Sequence, residues 1–226
     1  MGRILEVIVT SAEEAREAEA GGADRLELVR DLASGGLTPP VGVVQEVLES
    51  VRIPVRVMIR EEPSMLAGPP SDVRKLRSSA AELSRLGIDG VVLGFIIGGR
   101  VDLEATRYIL EAVDVPATFH RAFDEISDAA QAIEDLKEVP RIDRILTSGG
   151  PGSWLERRAR LLRWAEQSRP KIEILVAAGL CPDVLAELPR DTLEFEFHVG
   201  RAARNPHQVW GKVDSQYVAS LKNGHR

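Results

Sequence analysis

The sequence predicts an α/β chain folded as a single-domain (β/α)8 TIM barrel. Three observations carry this expectation. Eight short runs of β-branched or aliphatic residues recur along the chain, and segments of helical period separate them. The turn after the first run, Val9-Thr10-Ser11, lacks the glycine-rich phosphate fingerprint that an open doubly wound sheet often carries there. No shift of composition marks a domain boundary. At 226 residues the chain is shorter than the roughly 250 typical of such barrels, which predicts lean loops.

The first run spans residues 4–9. A helix follows from Ser11, because Ser11 and Glu14 have the spacing of a capping box, and Gly21-Gly22 ends it. The second run, 25–29, leads through an irregular loop at 35–40 to a helix at 41–51. Pro54 opens the third run, 55–60, and a polar loop with three prolines (61–70) precedes a helix at 71–86 that Gly87 stops. The fourth run, 90–94, is followed by a helix at 102–112, and Pro116 introduces the fifth, 117–120. A helix at 127–138 leads to the sixth run, 144–147, and a basic helix at 153–168 to the seventh, 171–177. A short helix near 182–188 precedes the eighth run, 193–198. Residues 1–219 form the barrel on this reading, and 220–226 a frayed tail.

Composition excludes several classes of function. Hydrophobic residues make up 44% and charged residues 28%, the balance of an ordinary soluble globule. A net charge of −6 and an aromatic content of 4% offer neither a field nor stacking platforms for nucleic acid. No run of 18 apolar residues exists to cross a membrane, and the acidic start does not read as a signal peptide, so the expected location is cytoplasmic. Cys181 is the single cysteine, which excludes an internal disulfide and a thiolate zinc cluster.

Buried parallel strands should be apolar throughout, yet several runs here carry charge. Side chains alternate along a strand, so Arg25 shares a face with Glu27, Met58 with Arg60, and Thr118 with His120. Placed in the lumen towards the carboxyl ends of the strands, these groups stand where barrels keep their active sites. Glu6 and His198 join them if they point inward. Arg56, Glu173 and Glu194 read as facing helices or rims. The densest chemistry lies in 118–124, where His120 offers a titrating base, Arg121 a fixed cation and Asp124 an orienting carboxylate. Thr147 and Ser148, ahead of Gly149-Gly150, make either an anion seat or a plain turn. Arg201 and Arg204 after the eighth run either hold a phosphate or lie at the surface. His207 and His225 read as exposed, and Cys181 as an inert thiol.

The segments 21–28, 35–39, 57–60, 118–124 and 143–150, five motifs in register, resemble the CutC family, and the likeness continues more weakly to residue 202. The resemblance implies a TIM barrel, a cytoplasmic location, assembly into dimers or larger oligomers, and a label of copper homeostasis. The matching positions are Arg25, Glu27, Arg60, His120, Arg121, Asp124, Thr147 and Ser148. Two departures weaken an inherited copper role. Where members of the family often carry cysteines, this chain has Val29, Arg30 and Asp31. The usual run of glycines after the seventh strand is replaced by Ala177-Ala178-Gly179-Leu180.

Two functional readings stay open alongside a non-catalytic polar plug. One is copper, or another divalent metal, held by Glu6, Glu27, His120 and His198 as the cofactor. The other is lyase or isomerase chemistry on a small anionic or sugar-like molecule. Glu27, His120 and Asp124 then form the acid–base set, while Arg25, Arg60, Arg121, Thr147, Ser148 and Arg201 bind the substrate.

Overall fold

A computed structural model describes residues 4–181 and 195–223. The eight barrel strands are β1 (Leu5–Val9), β2 (Arg25–Leu28), β3 (Val55–Met58), β4 (Gly90–Leu93), β5 (Ala117–Phe119), β6 (Ile142–Thr147), β7 (Glu173–Val176) and β8 (Glu196–Val199). All pair in parallel with their sequence neighbours, and β8 closes the barrel on β1. The described helices are α1 (Ala12–Ala20), α2 (Val41–Ser50), α3 (Pro70–Ser84), α4 (Leu103–Leu110), α5 (Ala129–Lys137), α6 (Trp154–Ser168) and α7 (Ser215–Asn223). The helix expected near 182–188 and the start of the eighth run lie outside the described residues.

The alternation of side chains builds two separate interiors. Outward-facing Val7, Leu26, Val57, Phe119, Ile145 and Phe197 pack under the helices in one continuous core. Inward-facing Ile8, Met58 and Val92 form a small cluster in the lumen, and Leu146, Leu175 and Ala177 form another.

Beneath these luminal clusters, towards the amino ends of the strands, the barrel is plugged by alternating charges. Arg25 bonds Glu6 through Nε and Glu196 through Nη2 (2.7 Å). Arg144 takes both oxygens of Glu196 (2.6 and 2.8 Å) and also reaches Asp143. Arg56 closes the chain with a two-pronged pair to Asp143 (2.7 Å each), a bond to Thr118 Oγ1 (2.7 Å) and one to Asp89 (3.2 Å). The expectation that Arg56 faces a helix or rim is therefore corrected: it is among the largest fully buried side chains. Gly90 makes room for it, since a Cβ there would lie 3.2 Å from Arg56 Nε and 2.7 Å from the carbonyl of Pro116.

Two terminal features also differ from expectation. Residues 215–223 are helical, so the chain does not fray at Ser220. Leu221 and Val218 are fully buried, with Val218 pressed against Gly21 at the end of α1. At the start of α1, Ser11 caps the Glu14 N–H as its spacing predicts, but the Glu14 carboxylate accepts from Thr10 N–H (2.8 Å) rather than from Ser11.

Ala178, where the resemblance expects glycine, has φ of +65°. This left-handed region costs an L-residue about 1–2 kcal/mol, and glycine's greater freedom when unfolded returns part of that difference. Ala178→Gly is expected to stabilise the chain by about 0.5–1 kcal/mol. Urea denaturation should show a higher midpoint at unchanged slope.

Candidate functional site

A cavity of about 970 Å³ opens at the carboxyl ends of the strands. Glu27 from β2, Arg60 just past β3, His120 just past β5 and His198 from β8 all line it, bringing together four of the residues singled out in the sequence. Period two placed them on the luminal face, and parallel pairing put their strand ends at the same end of the barrel.

Glu27 is 1% exposed, and its Oε1 finds no hydrogen-bond partner among the described residues. Burial, with the nearby charge of Glu6 added, raises its pKa to about 7. Its other oxygen lies 3.5 Å from His198 Nε2, and His198 Nδ1 donates to Glu6 Oε1 (2.9 Å). An imidazole therefore stands between two carboxylates. Burial alone would lower the His198 pKa, but Glu27 and Glu6 outweigh it and raise it. Burial works in the opposite sense on Glu6, where the Arg25 guanidinium and His198 overcome it and hold the carboxylate well below its usual range.

His120 is the complementary group. Its Nδ1 accepts the Ala122 N–H (3.1 Å), so the neutral ring carries its proton on Nε2. That Nε2 is buried and finds no partner among the described residues. Burial, then the charge of Arg60, lowers the His120 pKa to about 3, which keeps the ring neutral at physiological pH. Gly94 permits this placement, since a Cβ there would lie 2.5 Å from His120 Nδ1.

Several expected roles are corrected by the geometry. Arg25 does not reach the cavity: it is locked between Glu6 and Glu196 in the plug below. Asp124 is no free acid or base. It accepts from Thr147 Oγ1 (2.5 Å), from the Ser148 N–H (3.0 Å) and from Arg121 Nε (2.9 Å). The Thr147–Gly150 turn is thus an anion seat already filled by Asp124, and the N–H groups of Gly149 and Gly150 turn inward to Thr147 Oγ1 and Ser148 Oγ. Arg60 lines the cavity, but its guanidinium donates to backbone carbonyls, including Glu62 (3.0 Å), Pro63 and Gly36 (3.4 Å). It supplies charge and ties two loops together rather than gripping a ligand with open prongs. Arg121 and Arg201 are exposed cavity-lining groups. Arg204 is buried against Glu14 and the Ile8 carbonyl, so it is no phosphate ligand. His207 is exposed, as expected, and lines the cavity with Tyr217 beside it.

The metal set is also redrawn. Glu6, Glu27 and His198 each offer a ligand atom within 4.8 Å of one another, and His120 is not among them. Two carboxylates and one imidazole form a set without sulfur, unsuited to copper(I). A divalent ion would meet further obstacles. Glu6 is bonded to the permanently charged Arg25, and both nitrogens of His198 already face carboxylates. Copper(I) does not fit this donor set, and a divalent ion would have to displace the Arg25–Glu6 and His198–carboxylate contacts.

Sequence reasoning missed Glu196 and Arg144, which complete the plug. Glu196 stands two residues before His198, so the same alternation that paired Arg25 with Glu27 could have found it.

Fold and cavity define the class: a single-domain (β/α)8 barrel whose cavity opens at the carboxyl ends of its strands. Within that class, the model of the CutC family matches residues 3–202, and the chain belongs to the CutC family. It is 36% identical to the human copper homeostasis protein cutC homolog over 220 residues, covering 96% of this chain and 80% of that one. A family protein CutC from Xanthomonas campestris pv. campestris strain B100 is also 36% identical, with coverage of 96% and 90%. The crystal structure of CutC from Streptococcus agalactiae superposes with a TM-score of 0.79 at 27% identity, covering 88% of this chain and 98% of that one. A phosphoribosylanthranilate isomerase from Thermotoga maritima shares the fold alone, with a TM-score of 0.62 at 14% identity over all of this chain and 98% of its own. No described helix is long and apolar enough to cross a membrane.

Proposed function

We propose that this chain catalyses proton transfer on a small anionic carbonyl compound, a lyase- or isomerase-type reaction at the carboxyl-end cavity. One observation carries the reading: two buried polar atoms on residues lining the same cavity, Glu27 Oε1 and His120 Nε2, lack partners among the described residues. An unsatisfied buried polar atom costs about 1–3 kcal/mol, and a ligand that pairs both removes that cost. The two differ in kind, one a carboxylate poised near pH 7 and the other a neutral N–H donor.

In this mechanism Glu27 removes a proton from the carbon beside a carbonyl. The C–H electron pair moves into the enolate, whose oxygen accepts from the His120 Nε2–H. A neutral imidazole suits this donor role because its N–H is closer in acidity to the enol than an imidazolium would be. The positive charge of Arg60 offsets the developing negative charge. Where the deprotonated carbon bears a hydroxyl, passing that O–H proton to the enolate oxygen and returning the first proton to the former carbonyl carbon completes an isomerisation. Where the next carbon along bears a leaving group, its departure with its bonding pair completes an elimination. His198 holds the other oxygen of Glu27, with Nε2 3.5 Å away, and Glu6 fixes the orientation of the imidazole through Nδ1.

The copper label of the relatives comes to this chain as a competing reading, and the donor set described above opposes it. The acidic charge and single cysteine suit a reducing cytoplasm. The test is solvent-deuterium incorporation into enolisable 2-oxo acids, followed by proton NMR in a buffer containing a chelator. Exchange above that of the heat-denatured chain is expected. Absence of exchange with every acid that binds, or exchange that returns only when copper(II) is restored, overturns the proposal.

A further inference from the structure

The cavity is much larger than its polar floor requires. At about 970 Å³ it sits at the top of the roughly 300–1,000 Å³ that small-molecule sites span, and Glu27, Arg60 and His120 are only a part of its lining. The same lining includes the apolar side chains of Ile8, Leu32, Met58, Met65, Leu146 and Leu180. Ile8 and Met58 belong to one luminal apolar cluster, with Leu32 packed against it, and Leu146 belongs to the other. None of these six side chains can pair a hydroxyl in the manner of an amide or carboxylate. Two are methionines, whose unbranched thioethers adapt to a guest's shape. Of the polar residues that also line it, Arg121, Glu125, Arg201, His207 and Ser220 are exposed, and Asp124 is already held by Thr147, Ser148 and Arg121.

A sugar buried along such a wall would leave its hydroxyls without partners, and each loss weakens binding. We infer that the molecule handled here is amphipathic: a carbonyl head group at Glu27 and His120, carrying an unbranched apolar body of several carbons along the wall. The head group rests on the proton-transfer reading, and the body rests on the wall alone. A sugar phosphate, the other small anion the fold could accommodate, is disfavoured by the same wall.

The experiment titrates the intact chain by calorimetry with straight-chain 2-oxo acids from four to ten carbons, with a pentose phosphate alongside. Deuterium incorporation at carbon 3 is read in parallel. Affinity is expected to rise about fourfold with each added methylene until the wall is covered, with the pentose phosphate at least tenfold weaker than the longest acid. Leu32→Ser, at a half-buried position, is expected to weaken the ten-carbon acid about tenfold and to leave the four-carbon acid unchanged. Affinity independent of chain length, or tighter binding of the pentose phosphate, overturns the inference. Binding that climbs with length but gives no exchange upholds the apolar wall and overturns the proton-transfer reading instead. Exchange without length dependence does the reverse.

Discussion

Glu27→Gln is expected to lower the rate of deuterium exchange by about 10²–10⁴-fold, the range a positioned general base contributes, and to make the folded chain more stable above pH 7. Both effects have one cause. Burial holds the carboxyl near a pKa of about 7, against 4.5 when exposed, so the folded state binds this proton more tightly than the unfolded state does. Stability from this group is therefore fully present below pH 4.5 and is lost as pH rises through 7. The gap corresponds to up to about 3 kcal/mol at alkaline pH, at 1.36 kcal/mol per unit. Glutamine carries no charge to desolvate, so its advantage should appear at pH 8 as a melting temperature about 5–10 °C higher, and vanish by pH 4.5. Thermal melts at the two pH values check the stability, and NMR exchange checks the rate. A variant that exchanges at the native rate, or that is less stable than the native chain at pH 8, would contradict the assignment of Glu27 as a strained, functional base.

Arg56→Ala is expected to destabilise the fold by about 3 kcal/mol. The guanidinium is 2% exposed and holds Asp143 with two bonds, Thr118 with a third and Asp89 with a fourth. Removing one partner of a buried pair costs about 3–5 kcal/mol, because the remaining charge stays buried without compensation. The lower end applies here, since Asp143 and Asp89 are 31% and 37% exposed and water can reach them. Melting should fall by about 10 °C, measured by circular dichroism at pH 7. A loss below 1 kcal/mol would mean that solvent replaces the guanidinium and that the plug contributes little to stability.

Much of the fold was legible because strand and helix periods are local properties. The eight runs became eight strands, and the capping serine at residue 11 caps the first helix as its spacing requires. Helix α7 escaped notice because what defines it is contact with α1, a neighbour nearly 200 residues away in sequence, through Val218 and Gly21.

The candidate site was legible in membership but not in depth. Alternation put Arg25 and Glu27 on one face correctly, yet a step of two residues is about 7 Å along a strand. That step separates the ion plug, where Arg25 is locked to Glu6 and Glu196, from the cavity where Glu27 stands. Asp124 was read from its neighbours in sequence, while its role comes from Thr147 and Ser148 at and just past the end of β6, which fill both its oxygens. His120 gained its tautomer from a backbone N–H two residues on.

The sequence by itself determined which side chains share a face, Arg25 with Glu27 and Thr118 with His120, because alternation needs only the strand it lies on. Tertiary structure alone decided which charges neutralise one another and which remain open to a ligand. That choice depends on how far each strand is displaced along its neighbours as the barrel closes, and no single segment encodes that displacement.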